Sequence, residues 1–165
     1  MCKKILVTLD GSRASEAILP AAVRAAGAGA EVTLLTVTEV PPDVVLGVGS
    51  FVAAGAAGGA AQLAVRKPVE TRDQAMSHLR DEKERYLDHA AKPLRTAGIT
   101  VNTHVAFGDA AEEIVSFARR ENVDVIMMAT HGRTGLAKAL FGSVAGRVIR
   151  EAFMPVTLIR PANLK

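Results

Sequence analysis

The chain has 165 residues, enough for one domain with a sizeable core, and a formal net charge of only +3. Apolar residues make up 49% and aromatic residues 4%, with no tryptophan, so the core must be aliphatic. Basic side chains are interleaved with acidic ones along one predicted helix, which argues against a nucleic-acid-binding surface, and the single cysteine, Cys2, excludes an internal disulfide.

Short apolar runs alternate with helical patterns from the start of the chain. Residues 5–9 predict a buried strand that ends at Asp10. Ser12 can cap a helix whose apolar residues recur at helical spacing from 17 to 25. Residues 32–37 predict the second strand.

The second half of the chain continues this alternation. A capping box at Thr71 predicts a long polar helix to about residue 96, and Pro93 predicts a kink or an early stop near its end. Residues 99–107 alternate like a strand with one exposed face, and Asp109 can cap the helix that follows.

The last elements are a buried strand over residues 123–128, a glycine-punctuated loop, a helix over residues 144–152 and a strand over residues 156–159. The order β-α-β-α-β-α-β-α-β predicts an α/β domain with a five-stranded open parallel sheet, right-handed crossovers and helices on both faces. We interpret residues 1–165 as a single domain of this class.

One segment interrupts the pattern. Residues 44–65 contain no charged side chain, which is long enough for a transmembrane helix, but their five glycines and seven alanines supply little transfer free energy. We therefore interpret residues 41–67 as a flexible Gly/Ala-rich insertion, with a partly packed lid or partner surface as the alternative. The amino terminus lacks the apolar core of a signal peptide, so we expect a cytoplasmic protein with no membrane partner.

The glycine-punctuated loop over residues 129–143 is the most informative stretch of the chain. A loop of this kind leaves main-chain N–H groups unpaired where a strand gives way to a helix, and such a place suits a phosphate. Gly132, Gly142 and Ser143 are the candidate phosphate cradle, with simple helix capping as the alternative. Arg133 can contact phosphate through its guanidinium group or lie exposed in the loop.

Asp10 is a second candidate, since it ends the first predicted strand. Its carboxylate can accept hydrogen bonds from ribose hydroxyls or hold a metal ion, Mg²⁺ in particular, that is bound to phosphates. The alternative is a cap on the following helix.

Four stretches together resemble the universal stress protein family: residues 4–12, 108–114, 124–136 and 141–148. The likeness covers nearly the whole chain except the insertion at 41–67. It implies a Rossmann-like fold of the adenine-nucleotide alpha hydrolase-like type, with strand order 3-2-1-4-5 and a site where the first and fourth strands diverge. It also implies a cytoplasmic homodimer.

Members of that family that bind ATP resemble the pattern Gly-x-x-Gly, nine residues, then Gly-Ser or Gly-Thr. Here the same frame reads Ala129-Thr130-His131-Gly132, nine residues, then Gly142-Ser143, so only the first glycine differs. Extended backbone at a strand end tolerates the alanine methyl group. If the ligand must lie against the backbone at Ala129, the methyl group weakens binding.

The resemblance therefore implies ATP or another adenine nucleotide, accompanied by Mg²⁺. It implies that the main chain of Val37 reads the adenine edge and that Thr8 and Leu9 wall the adenosine. His131 either faces the nucleotide or contributes only its backbone. The full set of predicted nucleotide contacts is Thr8, Leu9, Asp10, Val37, Ala129, Thr130, His131, Gly132, Arg133, Gly142, Ser143 and Val144.

Two alternatives to a nucleotide-dependent stress-response regulator stay open. The first is a slow ATPase or autophosphorylating protein, for which only Asp10 and Arg133 can be named as reactive groups. The second is a dimeric interaction module without nucleotide, favoured by Ala129 and by the insertion. The last strand is also predicted to pair with its copy in a second subunit, because an uncovered apolar edge strand is a liability for a monomer; its residues are Val156, Thr157, Leu158 and Ile159.

Overall fold

The computed structural model describes residues 4–40, 72–130 and 142–161 of the chain. Strands and helices alternate along them as the apolar runs predict. In chain order the elements are β1 (Lys4–Thr8), α1 (Arg13–Glu16), α2 (Leu19–Ala25), β2 (Glu31–Thr38), α3 (Arg72–Thr96), β3 (Thr100–Phe107), α4 (Ala110–Arg120), β4 (Val125–Ala129), α5 (Ser143–Glu151) and β5 (Val156–Ile159).

The strands form one parallel sheet in the order β3-β2-β1-β4-β5, which confirms the predicted fold class and strand order. Strands that are covered on both faces have nearly continuous apolar sequences, and for this reason the central strands can be predicted from the sequence. The predicted exposed face of β3 is also confirmed, since Thr100, Asn102 and His104 are exposed on this edge strand.

Two aliphatic cores lie on opposite faces of the sheet, because successive strand residues point to opposite sides. Helices α1, α2 and α3 cover one face, and α4 and α5 cover the other. The first core includes the buried side chains of Ile5, Val7, Ile18, Val32, Leu34, Leu87 and Leu94. The second includes Leu6, Leu35, Ile114, Phe117, Ile126 and Val148.

The helix predicted after Ser12 is wrong in one respect, because it is broken into two. Helix α1 ends at Glu16, and α2 begins at Leu19 with Pro20 in its first turn. Pro20 has no N–H to donate to the carbonyl of Glu16, and its ring would clash with that carbonyl in a continuous helix. The predicted cap is confirmed: Ser15 N donates to Ser12 Oγ at 3.0 Å.

Pro93 does not end α3 early, so the early stop is wrong, whereas the predicted end near residue 96 is confirmed. The helix continues to Thr96, and Ala97 N donates to the Pro93 carbonyl at 3.1 Å. The last turns are held on the sheet by the fully buried Ala91 and Leu94, which offsets the one backbone hydrogen bond that a proline removes. Thr71, the predicted cap, lies outside the described residues.

The predicted insertion at residues 41–67 also lies outside the described residues, so its interpretation as a loop, and that of residues 1–165 as one domain, stay predictions. Among the residues that the structure does describe, none of the helices combines the length and the apolar character that a bilayer crossing requires.

Candidate functional site

The carboxyl ends of β1 and β4 separate at the middle of the sheet. These strands pair as far as Val7 and Met127. Beyond that pair β1 stays bonded to β2, since Leu9 N donates to the Leu35 carbonyl at 2.9 Å. Strand β4 stays bonded to β5, since Thr130 N donates to the Ile159 carbonyl at 2.9 Å. In open α/β sheets ligands bind where neighbouring strands diverge in this way.

Two threonines lie at this divergence on the same side of the sheet. Thr8 follows Leu6 and Thr130 follows Met128 in the strand alternation, so both face the layer formed by α4 and α5. Thr8 is 9% and Thr130 is 8% exposed. Leu9, at 3% exposure, packs into the opposite core, so we expect it to offer a ligand only its main chain.

Ala129 replaces the first glycine of the ATP-binding pattern without backbone strain. It is the last residue of β4 and pairs with Ile159, so its backbone is extended and no positive φ is required. Its methyl group packs against the core beneath α1 and α3, on the opposite side from Thr8 and Thr130. The methyl group therefore does not project toward α5.

The loop after β1 holds Asp10 in a defined position. Ser12 N donates to Asp10 Oδ1 at 2.9 Å, and Asp10 N donates to Ser15 Oγ at 3.3 Å. Gly11 between them adopts a φ of +87°, a conformation that costs little only for glycine. The cap of α1 is Ser12, so Asp10 serves the loop rather than the first helical turn, and its exposed carboxylate lies beside the strand divergence.

Tyr86 on α3 lies behind this loop and was missed by the sequence reasoning. Its hydroxyl is buried near Ser15 and Glu16, yet forms no hydrogen bond of good geometry with any residue in the described ranges. Burial, together with the negative charges of Glu16 and Asp10, raises the pKa of Tyr86 to about 12. Tyr86 is the only tyrosine of the chain. Its position next to the apolar face of α3 is the sequence feature that could have predicted its burial.

The amino terminus of α5 is exposed. Gly142 is the N-cap residue with extended backbone, and no side chain of the described ranges caps the helix. Gly142 and Ser143 are both exposed, and a Cβ atom on Gly142 would meet no atom within 4 Å. The first amides of a helix have no partner within the helix and carry a partial positive charge, so the amino terminus of a helix can bind a phosphate.

The remaining predicted contacts lie around this divergence or outside the described chain. Thr8 pairs with Leu35 of β2, and Val37 lies two residues further along that strand. Val37 and Val144 are both partly buried against the core beneath α4 and α5. Residues 131–133, with His131, Gly132 and Arg133, lie outside the described residues. Within the described ranges no cluster of three His, Cys, Asp or Glu residues could hold a metal ion.

An open parallel sheet with helices on both faces and a divergence at β1 and β4 defines a Rossmann-like α/β protein of the kind that binds ligands at the carboxyl edge of its sheet. A sequence profile described as the universal stress protein family matches residues 1–160. The chain belongs to the universal stress protein family.

Individual relatives agree with this assignment. Universal stress protein MJ0531 of Methanocaldococcus jannaschii is 34% identical over 160 residues, which cover 96% of this chain and 82% of that protein. The solved structure of MJ0577 from the same organism is 28% identical, covers 99% of both chains and superposes with a TM-score of 0.71. A universal stress protein family protein of Arabidopsis thaliana, solved with AMP bound, is 18% identical with a TM-score of 0.57, covering 97% of this chain and 92% of that one.

Proposed function

We propose that this protein binds an adenine nucleotide, ATP foremost, between the diverging ends of β1 and β4. The observation that carries the proposal is the exposed amino terminus of α5 at Gly142 and Ser143, which no side chain of the described ranges caps, on the same side of the sheet as Thr8 and Thr130. The phosphates would accept hydrogen bonds from the first amides of α5 and from the Ser143 hydroxyl. Gly132 and Arg133 would complete the phosphate contacts.

The adenosine half would lie against the ends of β1 and β2. Thr8 would contact it on the α5 side, Leu9 through its carbonyl group, and the main chain of Val37 would read the adenine edge. The extended backbone at Ala129 supports this arrangement, since the methyl group turns into the opposite core. The Arabidopsis thaliana protein was solved with AMP bound, but at 18% identity its similarity to this chain shows a shared fold and no shared ligand.

Asp10 would hold Mg²⁺ together with phosphate oxygens. Its backbone amide and one carboxylate oxygen are fixed by the serines of the loop, so the carboxylate is oriented before a ligand arrives. Magnesium prefers a site with one or two carboxylates, substrate phosphates and water, which fits a lone Asp10. We propose that the protein acts as a cytoplasmic stress-response regulator that reports its nucleotide state.

This function is tested by calorimetric titration with ATP in Mg²⁺ and again in EDTA. We expect saturable one-to-one binding, weakened about tenfold by EDTA, and we expect Asp10→Asn to abolish the difference, because a charge-assisted ligand contact is lost. Asn at position 10 can still accept the Ser12 amide, so the loop should keep its shape.

Asp124→Asn is the matched control. Asp124 also accepts a main-chain amide, that of Lys4 at 2.9 Å, but at the opposite end of β1. Its titration should match that of the wild type. Absence of ATP binding by the wild-type protein would overturn the proposed function, and an unchanged Mg²⁺ effect in Asp10→Asn would overturn the role of Asp10 alone.

We further propose that the protein is a homodimer through β5. The carbonyl of Pro155 accepts a hydrogen bond from Ile126 of β4, and that of Ile159 accepts one from Thr130, which follows β4. Because main-chain groups alternate between the two sides of a strand, Val156 and Leu158 direct theirs to the outer edge. A second copy that adds its own β5 would pair these groups and cover the partly exposed apolar side chains of the strand.

Thr157→Lys is expected to shift the dimer toward monomers, with dimerisation about tenfold weaker, because the two-fold axis brings two ammonium groups together. Thr157 is exposed, so the fold should not change. Sedimentation equilibrium measures the effect, and Thr100→Lys on the exposed edge strand β3 is the control. A wild-type monomer, or equal dimerisation in both variants, would contradict pairing through β5.

A further inference from the structure

An ion pair joins α5 to the start of α4. The Nη1 atom of Arg147 donates to both carboxylate oxygens of Asp109, at 2.8 Å each, and Arg147 Nε donates to Glu151 Oε1 at 3.3 Å. Arg147 lies four residues after Ser143, which is about 6 Å along the helix axis. The ion pair therefore holds the turn next to the amides that face the proposed phosphates.

Asp109 is itself held at the carboxyl edge of the sheet. It is the N-cap of α4, as predicted, and accepts the amide of Glu112 at 3.0 Å. Gly108 just before it donates its amide to the carbonyl of Thr38, at the end of β2, at 3.0 Å. The Glu112 amide, and after it Arg147, keep the pKa of Asp109 below its usual value, so the carboxylate stays ionised.

The other packing contacts of α5 with the described residues are apolar. It buries the side chains of Ala145 and Val148, and Val144 is partly buried against the same core. Small apolar contacts allow a helix to slide or rotate more readily than a large interlocking side chain does. A directional contact from Arg147 to a fixed carboxylate restricts both movements.

We propose that Arg147 and Asp109 are positioning residues for the phosphate end of the nucleotide site, holding the amino terminus of α5 at the divergence of β1 and β4. The inference rests on the proposed function, because it specifies how the same site is kept in shape. The pair does not touch the nucleotide. It acts through the placement of the first amides of α5.

The test compares ATP with adenosine in Arg147→Gln, Asp109→Asn and the double variant. Asn at position 109 keeps an acceptor for the Glu112 amide, so α4 stays capped. We expect ATP to bind about five- to tenfold more weakly to each variant, with no further loss in the double variant, while adenosine affinity stays unchanged. Arg147→Lys should recover part of the loss.

The control is Arg95→Gln, which removes a similarly exposed ion pair, Arg95 to Asp88 at 3.1 Å, on the opposite face of the sheet. It should bind both ligands as the wild type does. Equal loss of ATP and adenosine affinity would mean a general loss of structure and would overturn positioning. Stronger ATP binding by Asp109→Asn would mean that Arg147 contacts the phosphates directly, which also overturns it.

The proposed function and this inference fail separately. If the wild-type protein binds no ATP, both are wrong. If the wild type binds ATP and all variants bind it within twofold of the wild type, only the positioning role is wrong.

Discussion

Replacing Gly142 by aspartate is expected to weaken ATP binding at least about 100-fold, because two unit charges about 4 Å apart repel by about 4 kcal/mol near a protein surface. The same change should leave the folded protein intact. Gly142 already has the extended backbone of an N-cap residue, and a Cβ atom there has open space. Aspartate is a preferred N-cap, so the free energy of unfolding without ligand should rise by about 0.5 kcal/mol.

The opposite signs of these two effects make the experiment decisive. Affinity is measured by calorimetry and stability by urea unfolding. Gly142→Asn is the matched control, since it caps the helix equally well without a charge and should lose much less affinity. Wild-type ATP affinity in Gly142→Asp would show that the phosphates do not lie at the amino terminus of α5.

Leu6→Ala is expected to lower the free energy of unfolding by about 3 kcal/mol, because it leaves a cavity in a close-packed core. Leu6 is 0% exposed, lies on the central strand β1 and packs in the core beneath α4 and α5. It is also two residues before Thr8 on the same side of the sheet. Urea unfolding followed by circular dichroism gives the magnitude.

Ile149→Ala on α5 is the control for this truncation. Ile149 is 38% exposed, so the same kind of change should cost less than about 1 kcal/mol. A loss below about 1 kcal/mol for Leu6→Ala would contradict the buried position of Leu6 between the sheet and its helices.

The sequence was sufficient to predict the sheet because its central strands are covered on both faces. Each appears as a short run dominated by Val, Ile, Leu and Met with polar residues at its ends, and the predicted bounds agree with the structure within two residues. The last strand, Val156–Ile159, was predicted at its observed bounds. The helix caps could also be predicted, since the side chains of Ser12 and Asp109 each accept a hydrogen bond from the amide three residues later.

Local pattern reasoning failed where one residue opposes the periodicity around it. Apolar residues continue at helical spacing through Pro20, so one helix was predicted, yet the missing N–H of Pro20 divides it in two. At Pro93 the early stop was wrong, because buried Leu94 and its neighbours keep the end of α3 helical to Thr96. The outcome at Pro93 depends on packing that a sequence window does not contain.

The location of the candidate site in the fold could be predicted from the sequence, but the side-chain contacts around it could not. The glycine pattern and the end of the first strand indicate the divergence of β1 and β4, and the structure brings Thr8, Asp10 and Ala129 to that edge. The contact between Arg147 and Asp109 joins residues 38 positions apart, and Tyr86 reaches the loop after β1 from α3. Such contacts depend on how helices lie on the sheet. The backbone at Ala129, which the sequence left open, is extended in the structure.

The most direct test of the account is a map of main-chain amide shifts in two-dimensional ¹H–¹⁵N spectra during titration with ATP and, separately, with adenosine. If the phosphates bind at the amino terminus of α5, ATP should shift the amides of Gly142, Ser143 and Val144 most, adenosine should shift them far less, and Asp124 at the opposite edge of the sheet should not respond. If saturating ATP leaves the amides of Gly142 and Ser143 unshifted, the amino terminus of α5 does not bind phosphate, and the central claim is wrong.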